Sequence, residues 1–243
     1  MKEIKELDWA SYRVEMAMLR SNSQCQTLVV DFLVGEYPGR HIGERLIVVT
    51  LERSNNLPDS SSFMLLGQML YPVEIYVSDS REIVGVKNWK EALRRIRREL
   101  RLHKTEFNEM GWYGHLCSSV DELDDEEEFI SMLMRNSFFQ IMFTNYVGGD
   151  RVHLVYDYPA YGDNVPFVYE SKPIILNEGE VLYKARLGRI SAYNTYDYGG
   201  VGKFKYYFGN DFLPIRAHAS FIFENDECGF YKKEIKIERK SPF

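Results

Sequence analysis

The first part of the chain shows the alternation of polar and apolar residues that is typical of half-buried strands. Apolar residues occupy every second position from Tyr12 to Met18, and this period of two predicts a strand over 11–19. Two further runs, 27–34 and 42–51, are rich in β-branched residues and predict strands as well. We expect turns at the glycines and the proline that separate them, namely Gly35, Pro38, Gly39 and Gly43.

A polar loop and a hairpin follow. The stretch 53–62 is dominated by Ser, Asn and Asp, which favour loops. After it, the apolar runs 73–77 and 82–86 flank Ser78-Asp79-Ser80. Short polar side chains of this kind favour tight turns, so the two runs predict a hairpin.

The middle of the chain changes to a helical period. Trp89, Leu93, Ile96 and Leu100 are spaced by four, three and four residues, which predicts an amphipathic helix with one apolar stripe. Asn88 precedes Glu91 by three residues, and this pattern predicts a capping box at the helix start. If Trp89 is fully buried, its side chain contributes about 3 kcal/mol, so we expect Trp89→Ala to destabilise the protein strongly.

A second helix is predicted from Ser119, because Glu122 follows it by three residues. The acids of 124–128 suit the positive end of a helix dipole. The apolar clusters 64–66 and 138–143 are interpreted as core, with walls of a ligand cavity as the alternative.

The last part returns to short strands with turns between them. We expect strands at 152–158, 165–170, 181–187, 203–208, 215–223 and 231–237. The connections are too short for helical crossovers, so the pairing should be antiparallel. The glycine-rich Gly199–Lys203 lacks the earlier glycine and the following Ser or Thr of a phosphate-binding loop, and we interpret it as a strand connection.

These patterns predict an α+β fold in a single domain, 1–243. Strands from 10–86 and 150–238 should build one large twisted antiparallel sheet, or a pair of sheets, with the helical middle 88–143 packed on one face. A helix with one apolar stripe must bury it, and the nearest large apolar surface is the sheet.

Charge and composition argue against several classes of protein. The net charge of −6 disfavours nucleic acid as a partner, since that binding depends on neutralising phosphates. Three scattered cysteines argue against a disulfide framework. The start of the sequence lacks an apolar signal segment and no run of 18 apolar residues occurs. We therefore expect a cytoplasmic protein, or a periplasmic or envelope protein if an export signal has been removed.

No pattern predicts a catalytic, cofactor-binding or metal-binding residue. His103, His115 and Cys117 lack the spacing of metal ligands on one turn. Carboxylate pairs for glycoside hydrolysis can be drawn from Asp157, Asp163, Glu170 and Asp197, but their separation is not visible in a sequence. Oxidoreductase, phosphate-loop and serine-hydrolase motifs do not occur.

The arginine-rich face of the first predicted helix is the one candidate site. Arg94, Arg97 and Arg101 share one side of the helix and could bind an anionic partner. The alternative, which we favour, is that these arginines pair with the acids of 121–128 or stay solvated.

The strand-turn-strand and Asn-Trp helix start between Ser80 and Trp89, followed by the Phe138-Phe139-Gln140 cluster, resembles a group of uncharacterised bacterial proteins over about 70–160. In its order of elements the chain also resembles the curved-sheet lipoprotein carriers of the bacterial envelope. That resemblance implies an apolar ligand held between sheet and helix.

Two functional hypotheses follow. The first is a non-catalytic binding or adaptor protein that accepts a protein segment or an apolar small molecule in a groove between sheet and helices. The second is a hydrolase of unrecognised type that uses carboxylate or histidine side chains on the C-terminal strands, which requires titratable groups that converge in a cleft.

Overall fold

The structure is a computed structural model. It describes residues 9–20, 26–55, 69–109, 113–143, 151–155, 159–160, 163–164, 167–177, 180–187, 199–208, 212–225 and 229–240. The predicted apolar cluster 64–66 and the part of the predicted loop at 56–62 lie outside these residues.

Strands come before and after a run of helices. The first strands are β1 (Trp9–Arg20), β2 (Gln26–Pro38), β3 (Glu44–Asn55), β4 (Val73–Ser78) and β5 (Ile83–Val86). The helices are α1 (Trp89–Leu102), α2 (Lys104–Glu109), α3 (Tyr113–Asp121), α4 (Glu126–Arg135) and α5 (Ser137–Met142). The later strands are β6 (Arg151–Val155), β7 (Pro159–Ala160), β8 (Asp163–Asn164), β9 (Phe167–Asn177), β10 (Glu180–Leu187), β11 (Gly199–Tyr207), β12 (Arg216–Asn225) and β13 (Gly229–Arg239).

The predicted α+β fold with a large antiparallel sheet is confirmed. The strand order is β5-β4-β3-β2-β1-β13-β12-β11-β10-β9-β6, and β7 pairs with β8 in a separate small sheet. The pairs with a described register, such as β3–β4 and β12–β13, are antiparallel. The predicted hairpin is the β4–β5 pair, where the Arg81 N–H donates to the Ser78 carbonyl at 2.8 Å.

The chain divides into two compact units. The first comprises Met1–Tyr12, Val30–Leu133 and Lys240–Phe243, and the second comprises Arg13–Val29 and Met134–Arg239. That the chain acts as a single domain stays a prediction.

The core of the first unit forms where α1 meets β4. Alternate β4 residues, Val73, Ile75 and Val77, are fully buried. The buried residues of α1 are Ala92, Leu93, Ile96 and Leu100. The stripe predicted from the helical period is therefore buried, with Ala92 in addition and Trp89 excepted.

The core of the second unit is aromatic. All residues of 138–143 are buried, which agrees with their interpretation as core. On the strands, the core side chains alternate with exposed lysines: Phe204 and Tyr206 are buried, whereas Lys203 and Lys205 are exposed. This alternation results from the period of two in a strand. Gly199–Lys203 belongs to β11 itself and not to a connection.

Other predicted turn and loop residues are strand as well, including Pro38, which is the last residue of β2. Gly35 lies within β2, and a Cβ at this position would come within 3.0 Å of the Trp9 ring. The glycine therefore makes room for an aromatic ring and does not mark a turn. At the predicted loop 53–62, β3 continues to Asn55.

The predicted start of α1 at Asn88 is confirmed, but the predicted capping bond and the predicted start of the second helix were wrong. Asn88 is the N-cap of α1, but its side chain makes no capping hydrogen bond. Ser119 lies inside α3 and does not start a helix. The next helix, α4, starts at Glu126, where the Asp125 carboxylate accepts from the Glu128 N–H at 2.9 Å and the Glu128 carboxylate accepts from the Asp124 N–H at 2.7 Å. The N-cap of α4 lies within the acidic run because the first backbone N–H groups of a helix have no partner inside it. Carboxylates at this end can accept hydrogen bonds from them.

Candidate functional site

A groove opens on the outer side of α1, in the first unit. Its cavity volume is about 250 Å³. Five residues of α1 and two residues between α3 and α4 line it: Trp89, Lys90, Leu93, Arg94, Arg97, Leu123 and Asp124. Trp89, Leu93 and Leu123 provide apolar walls, and the three cations and Asp124 complete the lining. We call this site the α1 groove.

Side-chain hydrogen bonds fasten the inner side of α1 to the chain before β4. The Asn88 side chain accepts from the Glu74 N–H at 2.9 Å and donates to the Pro72 carbonyl at 3.0 Å. These two bonds replace the predicted capping bond, because backbone partners outside the helix satisfy the amide. The start of α1 is thus held to β4.

Arg95 fastens the next turn. Its guanidinium donates to the carbonyls of Met69, Leu70 and Pro72 at 2.8–2.9 Å. Burial lowers the pKa of Arg95 from its ordinary value. The three carbonyl oxygens accept hydrogen bonds from the charged guanidinium. Arg95 therefore stabilises the fold and does not line the α1 groove.

The second wall of the groove is held by the start of α4. The Glu126 carboxylate accepts a hydrogen bond from the Val86 N–H of β5. Leu123 is buried, and its N–H donates to the Val120 carbonyl at 3.3 Å. The same carbonyl accepts from the Arg97 guanidinium at 3.4 Å. Both walls of the groove are therefore built on fixed backbone.

The structure brings two of the three predicted arginines to the groove. Arg94 is exposed and Arg97 is half-buried, and both line the cavity. Arg101 is exposed in the last turn of α1 and is not among the lining residues. Lys90 was not predicted, although its position four residues before Arg94 places it on the same side of the helix. Its ammonium lies 5.2 Å from the centre of the Trp89 ring.

The expected pairing between these arginines and the acids of 121–128 is not found among the described residues. Two of those acids cap α4 and a third binds β5, as described above. On α1 itself, Arg98 pairs with Glu99 at 2.7 Å. Within the described part of the chain, Arg94 and Arg101 are unpaired. Three acids of this run therefore bind backbone N–H groups, whereas Asp124 lines the α1 groove together with Lys90, Arg94 and Arg97.

Trp89 belongs to this site more than to the core. Its side chain is half-buried and forms a wall of the groove. The strong destabilisation that we expected for Trp89→Ala assumed full burial, and the structure does not support that assumption. An aromatic ring that is partly exposed beside cations is typical of a binding surface.

Histidine and cysteine do not form a metal site in the described residues, where no cluster of three ligand-type side chains occurs. His103 contacts Glu106 at 2.7 Å and Glu99 at 3.7 Å, which makes it part of a surface network. Cys117 is a free, half-buried thiol.

Four carboxylates, Asp157, Asp163, Glu170 and Asp197, were the candidates for hydrolysis. Asp157 and Asp197 lie outside the described residues, and only the backbones of Asp163 and Glu170 are described.

In the second unit, the Lys233 ammonium, 3% exposed, donates to the Ser137 hydroxyl at 2.9 Å. This contact joins β13 to the first residue of α5.

Comparisons with known proteins leave the family open. No family model matches the chain, and no curated protein matches it. Among solved structures, it is similar to a LolA superfamily protein from Nitrosomonas europaea, at 11% identity and a TM-score of 0.21, over 97% of this chain and 88% of that one. It is also similar to a DUF1329 family protein from Desulfovibrio piger, at 6% identity and a TM-score of 0.24, over 98% and 88% of the two chains. Similarity this low carries no argument about function.

The described helices include none that is both long and apolar enough to cross a membrane.

Proposed function

We propose that this protein is a non-catalytic binding or adaptor protein that docks a segment of a partner protein in the α1 groove. One observation carries the proposal: apolar walls and the cations Lys90, Arg94 and Arg97 meet on a helix face whose backbone is held by Asn88 and Arg95. Binding sites of this kind combine an apolar centre with a charged rim.

The size of the groove favours a protein segment over an apolar small molecule. Small-molecule sites usually enclose about 300–1,000 Å³, whereas this cavity has about 250 Å³. It suits one or two side chains of a partner, with the cations contacting acids beside them. The groove lies beside α1 and the segment between α3 and α4, whereas Val73 and Ile75 of β4 and Ile96 of α1 are buried in the core of the first unit. A cytoplasmic location stays a prediction.

Reversal of the three arginines tests the proposal. In the variant Arg94→Glu/Arg97→Glu/Arg101→Glu, an acidic peptide with one apolar anchor should bind about tenfold or more weakly, since each exposed pair contributes about 0.2–1 kcal/mol and reversal adds repulsion. The probe is a fluorescently labelled peptide of about 16 residues, followed by anisotropy, and its binding should weaken with salt because charges beyond about 10 Å are screened at 0.1 M.

The matched control reverses three exposed lysines of the second unit, Lys203→Glu/Lys205→Glu/Lys236→Glu, which changes net charge by the same amount. The control should retain binding and unfold near the wild-type urea concentration. The triple arginine variant should unfold at a slightly lower concentration, because it also loses the hydrogen bond from Arg97 to the Val120 carbonyl. Equal loss of binding in the two triple variants would reduce the effect to net charge and contradict a site at α1.

The hydrolase hypothesis stays a prediction. It requires convergent titratable side chains on the C-terminal strands, and no described contact favours it.

A further inference from the structure

The four outward cations of α1 form a regular row. Lys90, Arg94, Arg97 and Arg101 are separated by four, three and four residues. At 100° and 1.5 Å per residue, these steps keep the side chains within about 60° of one another around the helix and extend them over about 16 Å along it. We call them the cation row.

The spacing along this row identifies the secondary structure of a matching partner. Successive cations are about 6, 4.5 and 6 Å apart along the axis. Residues on one face of an extended strand recur about every 6.6 Å and drift out of register with such a row. Acids at steps of four, three and four on another helix repeat with the same intervals, so a helix meets each cation in turn.

The apolar walls lie on one flank of the cation row. Leu93 is one residue before Arg94 and Trp89 is one residue before Lys90, so both are displaced toward the core side of the helix. Leu123 faces them across the cavity. A partner helix that places its acids on the row therefore needs a single apolar side chain on the adjoining flank, which enters the cavity.

We propose that the occupant of the α1 groove is an acidic amphipathic helix of a partner protein, with carboxylates at steps of four, three and four residues and one apolar anchor beside them. The proposal rests on the proposed function and specifies its partner. Charge complementarity sets orientation and association rate, and burial of the anchor against Trp89, Leu93 and Leu123 slows dissociation.

Two labelled peptides of identical composition test this. The matched peptide carries Glu at steps of four, three and four and a Leu on one flank. The scrambled peptide carries the same residues at steps of two, five and two, which divides the acids between opposite sides of a helix. With the full chain at about 50 mM salt, the matched peptide should bind about tenfold more tightly, and this advantage should shrink as salt rises.

The outcomes separate this inference from the proposed function. Equal binding of both peptides, lost in the triple arginine reversal, would overturn the helical partner and leave the docking site standing. Absence of binding by either peptide at millimolar concentration would overturn both. A third arm uses vesicles with about one third phosphatidylserine, since clustered cations also attract anionic lipid. Binding to vesicles but to neither peptide would overturn the protein occupant in favour of a lipid surface.

Discussion

Replacement of Phe139 by alanine should cost about 3–5 kcal/mol, a large part of the 5–15 kcal/mol that stabilises a typical domain. Phe139 is fully buried in α5. Its ring meets Phe138 edge to face at 5.5 Å and Phe143 at 5.8 Å. The substitution removes both ring contacts and leaves a cavity in the aromatic core.

Urea unfolding followed by circular dichroism checks this prediction. The control is Leu102→Ala, which truncates a side chain that is 69% exposed and should change stability by no more than about 0.5 kcal/mol. A loss below about 1 kcal/mol for Phe139→Ala would mean that this part of α5 is not core in solution.

Lys233→Met should stabilise the protein near neutral pH by about 1–3 kcal/mol. Lys233 lies on the buried face of β13 beside Ile235. Burial lowers its pKa to about 8, against about 10.4 in an unfolded chain. At pH 7 the folded protein therefore carries a buried ammonium that donates to the Ser137 hydroxyl. Methionine fills similar space without a charge, and the removal of the buried charge should outweigh the loss of this hydrogen bond.

The sign of the pH dependence follows from the same pKa. Between about pH 8 and 10 the unfolded chain still binds the Lys233 proton while the folded chain has released it, so stability should increase with pH over that range. Below about pH 8 Lys233 is protonated in both states, so it causes no change of stability with pH there. The full increase is about 3 kcal/mol for a difference of this size.

Urea unfolding at several pH values from about 7 to 9.5 measures this effect, since other groups begin to titrate above that range. Lys236→Met on the same strand is the control, because Lys236 is exposed. Lys236→Met should keep the wild-type increase, whereas Lys233→Met should lose it. Parallel pH profiles for the two variants would contradict the assignment of the increase to Lys233.

Strand positions could be predicted from the sequence because burial follows the side-chain period directly. The alternation of 73–77 appears in the structure as the buried residues Val73, Ile75 and Val77. The apolar stripe of α1 was predictable for the same reason, as Leu93, Ile96 and Leu100 are buried. The role of Gly35 could not be predicted in this way. A side chain at this position would collide with the Trp9 ring, which is distant in the chain.

The hydrogen-bond partners of polar side chains could not be predicted. Residues that are distant in the sequence but close in space compete with sequence neighbours for these bonds. Asn88 fits a capping pattern, yet Glu74 and Pro72 take its amide. The acids near Asp125 fit ion pairs with α1, yet they cap α4. For the site, the sequence predicted Arg94 and Arg97 but not Leu123, since the opposite wall depends on how the helix ends pack.

A charge swap between protein and peptide is the most direct test of docking on α1. Arg94→Glu should weaken binding of the matched peptide about fivefold, because one attraction becomes a repulsion. A peptide in which the facing Glu is replaced by Lys should bind this variant more tightly than the original peptide does, and should bind the wild type more weakly.

The control is Lys205→Glu on β11, an exposed site in the second unit, which should keep the wild-type preference between the two peptides. The resulting double-mutant cycle measures the coupling between the two positions, since each single change creates a repulsion and the double change restores an attraction. A coupling well above experimental error is the predicted result. If the swapped peptide binds Arg94→Glu no better than the original peptide does, the partner does not meet Arg94, and the proposed site on α1 is wrong.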